Sequence, residues 1–275
     1  MPFSYLDEND VAFARLKFTI DGNTYSDGDP EMSGKIFYDS IRSGKTSTTT
    51  QVNIEEFKDF FKEALQKGKD VLHLCFSSGL SGTCNSAIIA AEELSEEYPD
   101  RKVIVVDSLC ASMGQGLLLD YAIALRDEGK TVEEVKDWLE DNKLNLVHYF
   151  TVDDLGHLQR GGRISKLTAV FGGLLNIKPV LAVEKGEIKM LGKARGSKQG
   201  NNLLVQQIEK AGGIDFAKPI LLGYSGISDA LLKKYMEDSR ALWENGVENL
   251  SYACVGSVIG THAGPGAVAV AFFKK

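Results

Sequence analysis

Short apolar runs alternate with amphipathic helical stretches in the first half of the chain, and this alternation constrains the fold more than any other feature. Val71 to Phe76 and Lys102 to Val106 are too short and too apolar to be helices. Each is followed by a small-residue turn, Ser77 to Thr83 in one case and Asp107-Ser108 in the other. A helical pattern comes next each time, over Asn85 to Tyr98 and Ser112 to Asp127. Strand, turn and helix repeated in series require crossover connections, which lay the strands parallel. The loops then gather at the strands' C-terminal edge, where ligands usually sit. Upstream, Val11 to Ile20 reads as extended and Asp21-Gly22-Asn23 as a hairpin turn toward Tyr25. Helices are predicted over Glu31 to Arg42, Ile54 to Lys67 and Val132 to Asn142. The second of these carries Phe57, Phe60, Phe61 and Leu65 on one face.

From Leu144 the rhythm changes. Val180 to Val183 and Glu187 to Leu191 flank Glu184-Lys185-Gly186, a hairpin signal. Further on come a helix near Lys198 to Lys210, a strand over Pro219 to Tyr224, a helix over Asp229 to Glu244 and a strand over Asn249 to Val255. A glycine-rich segment from Gly256 ends in a strand-like run, Ala267 to Phe273. The expected fold class is α/β in two domains: a Rossmann-like parallel-sheet domain over 1–147, then an α+β domain with a mixed sheet over 148–275. No flexible linker marks the boundary, placed near Asn145 to Phe150.

At 275 residues the chain can bury a substantial core. Its net charge of −7 argues against nucleic-acid binding, which needs a basic footprint. No run of about 18 apolar residues exists, and the amino terminus lacks the layout of a secretory signal, so a cytoplasmic protein without membrane insertion is expected. Cys75, Cys84, Cys110 and Cys254 show neither CxxC pairing nor metal spacing and read as small buried hydrophobes.

The stretch His148 to Leu181 carries the strongest local signal. A basic double-glycine turn, Arg160-Gly161-Gly162-Arg163, lies between a short polar helix and an apolar run, Leu167 to Leu175. Two arginines beside a smooth apolar helix suit a long apolar molecule with an anionic head. Four further features bear on chemistry. The loop Ser77-Ser78-Gly79-Leu80-Ser81-Gly82-Thr83 precedes a helix and offers hydroxyls and backbone amides to an anion, although a helix cap with turn glycines also explains it. The hydroxyl run Thr46 to Thr50 reads as a loop, either solvated or ligand-facing. His262 is enclosed by small residues that let other groups approach it. Arg163 and Arg195 each border glycine and suit carboxylate or phosphate, while surface ion pairing is the commoner fate of a single arginine. His73 reads as an interior residue; His148 and His157 carry no separate signal. A Ser81–His262–Asp107 hydrolase or transferase is the alternative, but Ser81 lacks a GxSxG elbow.

Five segments in order resemble the DegV family, bacterial fatty-acid-binding proteins that serve as the FakB-type subunit of a fatty acid kinase. Thr48 to Asn53 is similar to the family's TTSQPS loop, with Val52 in place of proline. Ser77 to Ala87 follows SSxLSGTxxSA, and Asp107 to Gly116 follows DSxxASMGxG. Leu158 to Pro179 matches LxxGGRIS…LLxIKP, and Gly260 to Phe272 matches GTHxGPGxxxxxF. The resemblance implies a long-chain fatty acid held between two domains, with no catalysis, cofactor or metal of the protein's own. It places the carboxylate on Thr49, Ser81, Gly82 and His262, with Thr83, Arg163 and Thr261 near the head group or domain junction. Arg195 is implied in phosphoryl transfer on a separate Dak-type, ATP-binding kinase. A lipid sensor without such a partner is a further alternative. The family usually begins with an additional strand, roughly VTDSxxDL, that this sequence does not show. A misassigned or shortened start, or another element in that sheet position, would account for the difference.

Overall fold

The structure, a computed structural model, describes residues 1–164, 177–243 and 250–275. The apolar run Leu167 to Leu175 therefore lies outside the described residues. The chain opens with a short helix, α1 (Phe3–Glu8). The expected hairpin follows: β1 (Lys17–Ile20) and β2 (Asn23–Ser26) turn about Asp21 and Gly22, both at positive φ. After α2 (Gly34–Arg42) comes β3 (Ser47–Thr50), antiparallel to the other side of β1. The hydroxyl run expected to be a loop is thus a strand. Its β-branched threonines fit a pleated edge, and the alternation of half-buried Ser47 and Thr49 with exposed Thr48 and Thr50 is the period-2 signal that composition concealed.

A doubly wound unit comes next, built from α3 (Ile54–Leu65), β4 (Val71–Cys75), α4 (Thr83–Glu97), β5 (Val103–Asp107), α5 (Ser112–Asp127) and α6 (Val132–Asn142). The two strands pair in parallel, Val71 opposite Val103. Val71, Cys75, Val103 and Val105 pack with Phe57, Phe61, Ala87 and Leu94 of α3 and α4. Leu72, Leu74, Ile104 and Val106 pack with Leu117, Val135 and Leu139 of α5 and α6. Apolar side chains on both faces explain why these strands read as continuous hydrophobic runs.

The second half comprises β6 (Leu146–Thr151), α7 (Gly156–Arg160), β7 (Ile177–Glu184), β8 (Glu187–Arg195), α8 (Ser197–Lys210) and β9 (Ile220–Tyr224). It continues with α9 (Ala230–Asp238), α10 (Arg240–Trp243), β10 (Leu250–Cys254), α11 (Ser257–Ala263) and β11 (Val268–Phe273). A six-stranded mixed sheet runs β10-β9-β11-β6-β7-β8, with only β9 and β10 parallel. The short polar helix expected before the double-glycine turn is α7, and strand β6, which the sequence reading did not assign, runs ahead of it with burial on both faces. One expectation changes here. The glycine-rich segment from Gly256 contains helix α11. The carboxylate of Asp27 accepts from Ser257 N at 2.9 Å at its start, and Gly264 at φ 69° ends it, so a distant cap supplies what the local sequence does not.

The sheet's two faces have different tasks. Tyr149, Val180, Val268, Val270 and Phe272 pack with Leu204 and Ile208 of α8 and Leu232 and Tyr235 of α9. On the opposite face, Met113, Leu117 and Leu118 of α5 pack with Leu146, Leu221, Ala271 and Phe273. Met113 lies so close over β9 that a Cβ at Gly223 would sit 2.7 Å from its Cε. This apolar seam joins the two halves. At the chain's start α1 lies against the seam helix, with the Tyr5 hydroxyl bonded to Asp120 and the Met1 side chain beside Gly116.

Leu118 is fully buried in that seam. Leu118→Ala is expected to lower unfolding stability by about 2–5 kcal/mol in urea denaturation, through lost burial and an unfilled cavity. A change below about 0.5 kcal/mol would show that the seam does not carry the packing described.

Candidate functional site

Farther along that inner face the sheet is lined by small residues, and a cavity of about 370 Å³ opens between it and the first half of the chain. The run Ala267-Val268-Ala269-Val270-Ala271-Phe272 explains the space. Its alanines face inward and its larger residues face α8 and α9, so β11 fills one side of the sheet and leaves room on the other. Phe150, Val183, Ile188 and Leu158 supply more apolar wall from the sheet side, and Phe76, Leu80, Val258 and Ile259 close it from the other.

Polar groups enter the cavity from separate elements. The alternation of β3 turns Ser47 and Thr49 toward α11, where they meet consecutive residues. Ser47 Oγ lies 2.8 Å from Thr261 Oγ1, and Thr49 Oγ1 lies 2.8 Å from His262 Nε2. Thr261 also donates to the Ser257 carbonyl at 3.0 Å, which fixes it within the helix. The His262 ring rests on Gly161: a Cβ there would be 2.1 Å from Nδ1. The double-glycine turn therefore serves two purposes. Gly161 gives the imidazole room, and Gly162, at φ 74°, reverses the chain. Arg163 then reaches the loop after β4, donating from Nε to the Leu80 carbonyl at 3.0 Å and from Nη1 to the Gly161 carbonyl. Ser81, next to Leu80, lines the cavity with its Oγ 2.8 Å from Thr83 Oγ1.

Thr49, Ser81, Arg163 and His262 are thus gathered on one cavity, whereas Gly82, Thr83 and Thr261 stand behind them. Gly82 lets the Gln51 side chain close on the start of α4, since a Cβ would lie 2.3 Å from Gln51 Oε1. Thr83 and Thr261 are buried partners of the lining hydroxyls. Arg195 is apart from the cluster, exposed at the end of β8, where its backbone N–H donates to Gln199. The Ser81–His262–Asp107 arrangement does not assemble. The Ser81 hydroxyl pairs with Thr83, His262 with Thr49, and the Asp107 carboxylate takes the backbone N–H groups of Ser78 and Leu109.

Among the described lining residues, Arg163 has the one permanent positive charge, and none is acidic. Burial, reinforced by the Arg163 charge, pushes His262 down to about 4. The ring is therefore neutral near pH 7, and the Thr49–His262 pair presents dipoles rather than a cation. Burial lowers Arg163 as well, although a guanidinium stays protonated. No cluster of three or more metal-ligating side chains occurs among the described residues, and none of their helices is long and apolar enough to cross a membrane.

Known proteins agree with this architecture. A family model described as an uncharacterised protein of the DegV family matches residues 1–275. The chain belongs to the DegV family. A DegV domain-containing protein of Clostridium perfringens is 40% identical over 99% of this chain and 93% of its own length. The structure of a DegV family protein from Thermus thermophilus, described by its fatty acid binding, superposes with a TM-score of 0.87 at 31% identity, covering 100% of this chain and 96% of that one. The Streptococcus pneumoniae fatty acid kinase B3 protein, loaded with linoleic acid, shares the fold at 23% identity with a TM-score of 0.82, covering 95% and 90% of the two chains.

Within this DegV-family chain, His148 carried no sequence signal of its own, and Ser112 was marked only as part of the Asp107–Gly116 motif. His148 lines the cavity from the middle of β6, and Ser112 from the start of α5. The alternation His148-Tyr149-Phe150 places His148 on the inner face, but only once β6 is recognised as a strand.

His73, His148 and His262 are each pushed down by burial to about 4. A folded pKa below the unfolded 6.5 means that the unfolded chain binds protons first. Their contribution to stability is therefore full above pH 6.5 and is lost as pH falls through about 4. Ring titration by NMR should place the His262 midpoint near 4, and Arg163→Met should move it upward while leaving His148 in place. A wild-type His262 midpoint near 6.5 would contradict the burial of its ring.

Proposed function

We propose that the chain binds a long-chain fatty acid in this cavity and presents it to a separate kinase. The observation that carries the reading is the convergence of neutral donors and one guanidinium on a largely apolar cavity whose described lining residues include no acidic one. Such a surface suits an anionic head with an apolar tail. A carboxylate removed from water needs several donors to offset its desolvation. Thr49, Ser81 and His262 supply them from the cavity wall, the Gly82 backbone adds a donor from just behind Ser81, and Arg163 supplies charge from the neighbouring turn. The first turn of α4 adds the positive end of a helix dipole. Burying roughly a dozen methylenes at ~0.8 kcal/mol each would then account for much of the affinity. The fatty acid binding described for the Thermus thermophilus protein supports the ligand class.

In this reading the protein is not itself the catalyst. A Dak-type kinase brings ATP, a carboxylate oxygen attacks the γ-phosphorus, and ADP leaves, giving an acyl phosphate. Arg195, exposed outside the cavity, acts on the partner's side of that step. The Streptococcus pneumoniae protein that shares the fold is a fatty acid kinase B3 protein, which suits a partner of that class. The domain division at 147/148 and a cytoplasmic setting belong to the same proposal.

Native mass spectrometry of the purified protein is expected to show a retained, intact fatty acid. In a delipidation and reloading assay, His262→Ala should weaken binding about tenfold or more while the thermal transition stays cooperative, because a buried carboxylate loses one donor. Unchanged retention would remove His262 from the head-group site. With a fatty acid kinase and ATP added, acyl phosphate should form with the wild type. Arg195→Ala should form much less of it at equal fatty acid occupancy. Absence of acyl phosphate with every kinase tried, despite bound lipid, would favour a sensor. Ester turnover that disappears in Ser81→Ala would favour a hydrolase.

A further inference from the structure

Among the described lining residues, His148 is the one titratable side chain that the head-group reading does not use. Its strand neighbours on the inner face are Val183 and Ala271, and the Phe150 ring lies 5.9 Å away. It is 5% exposed and lines the cavity. Its Nδ1 is buried without a hydrogen-bond partner. His148 lies three residues before Thr151, the end of β6 that leads through α7 to Gly161 and His262. At ~3.3 Å per residue that is about 10 Å of strand between His148 and the end of β6 that leads to the head-group turn. Ser112, at the start of the helix that packs along the same strand, adds a hydroxyl to the cavity wall.

A bare hydrocarbon tail would cover His148 and leave its imidazole without a partner, which a valine at the same position would avoid. Buried polar groups left unpaired are costly and correspondingly uncommon. Burial also keeps the ring neutral near pH 7, with its pKa down at about 4, so one ring nitrogen donates and the other accepts. A hydroxyl or oxo group on the acyl chain answers both possibilities, whichever tautomer the ring adopts. We propose that His148 is a specificity-determining residue, and that the cavity prefers long-chain fatty acids bearing a hydroxyl or oxo group away from the carboxylate. The inference rests on the fatty-acid reading and specifies its substrate class.

The test compares octadecanoic acid with hydroxyoctadecanoic acids carrying the hydroxyl near mid-chain, as competitors of a fluorescent fatty acid on the delipidated full-length protein. The wild type should bind at least one hydroxy acid about fivefold more tightly than octadecanoic acid, the ratio one added neutral hydrogen bond gives. In His148→Leu the order should reverse, with octadecanoic acid bound at least as well as by the wild type. The wild-type ratio decides the matter even if that variant folds poorly. Octadecanoic acid bound as tightly as every hydroxy isomer by the wild type would overturn the inference and leave the fatty-acid reading standing. So would a hydroxy preference that survives in His148→Leu. If no acid displaces the probe from the wild type, the fatty-acid reading itself falls, and the inference falls with it.

Discussion

The His262 ring, held between the hydroxyl of Thr49 and the bare Cα of Gly161, is the contact on which the site's assembly depends. It ties together three segments far apart in sequence: strand β3, the turn after α7, and helix α11. Each segment is fixed by something else. Strand β3 is held by β1, the turn by the two hydrogen bonds of Arg163, and α11 by the Asp27 carboxylate at its start. The interaction is short-range and directional, and the ring has almost no lateral freedom. That explains why the segments around it carry glycine, serine and threonine rather than bulk. At Gly264, which ends α11, a Cβ would lie 2.4 Å from the ring of His157, so the same crowding extends past the helix.

Charge in the site follows from burial more than from sequence. Desolvation keeps both cavity histidines neutral near pH 7, and Arg163 biases His262 further in the same direction. Among the described residues the cavity therefore has a neutral polar cluster, one guanidinium and a long apolar wall. An anion entering it would meet oriented dipoles first and a single formal charge second, which favours a monoanion over a polyphosphate. The wall exists because β11 alternates alanine with larger residues, a packing asymmetry that leaves space without weakening the opposite face.

Much of the fold was legible from local pattern. The strand–turn–helix units around Val71 and Val103, the hairpin at Asp21-Gly22 and the β7–β8 hairpin all follow from periodicity and turn chemistry. Three elements were not legible, each for a physical reason. Strand β3 is written in hydroxyl residues, which composition assigns to loops. Strand β6 is buried on both faces and carries no amphipathic signature. Helix α11 is seven residues of mixed propensity whose cap arrives from Asp27, 230 positions away. In the site, Thr49, Ser81, Arg163 and His262 were named from motif and came together on the cavity, whereas Thr83 and Thr261 proved to be supports behind it.

By itself the sequence determined the alternation of elements, the family and the residue types able to meet an anion, because these are encoded in local order and spacing. Only the tertiary structure decided which of those residues share a cavity, that their histidines are neutral, and that His148 belongs among them. Those properties depend on burial and on contacts between segments remote along the chain. A glycine that makes room for a ring, or an aspartate that caps a distant helix, acts across space and leaves no mark on its own neighbourhood in sequence.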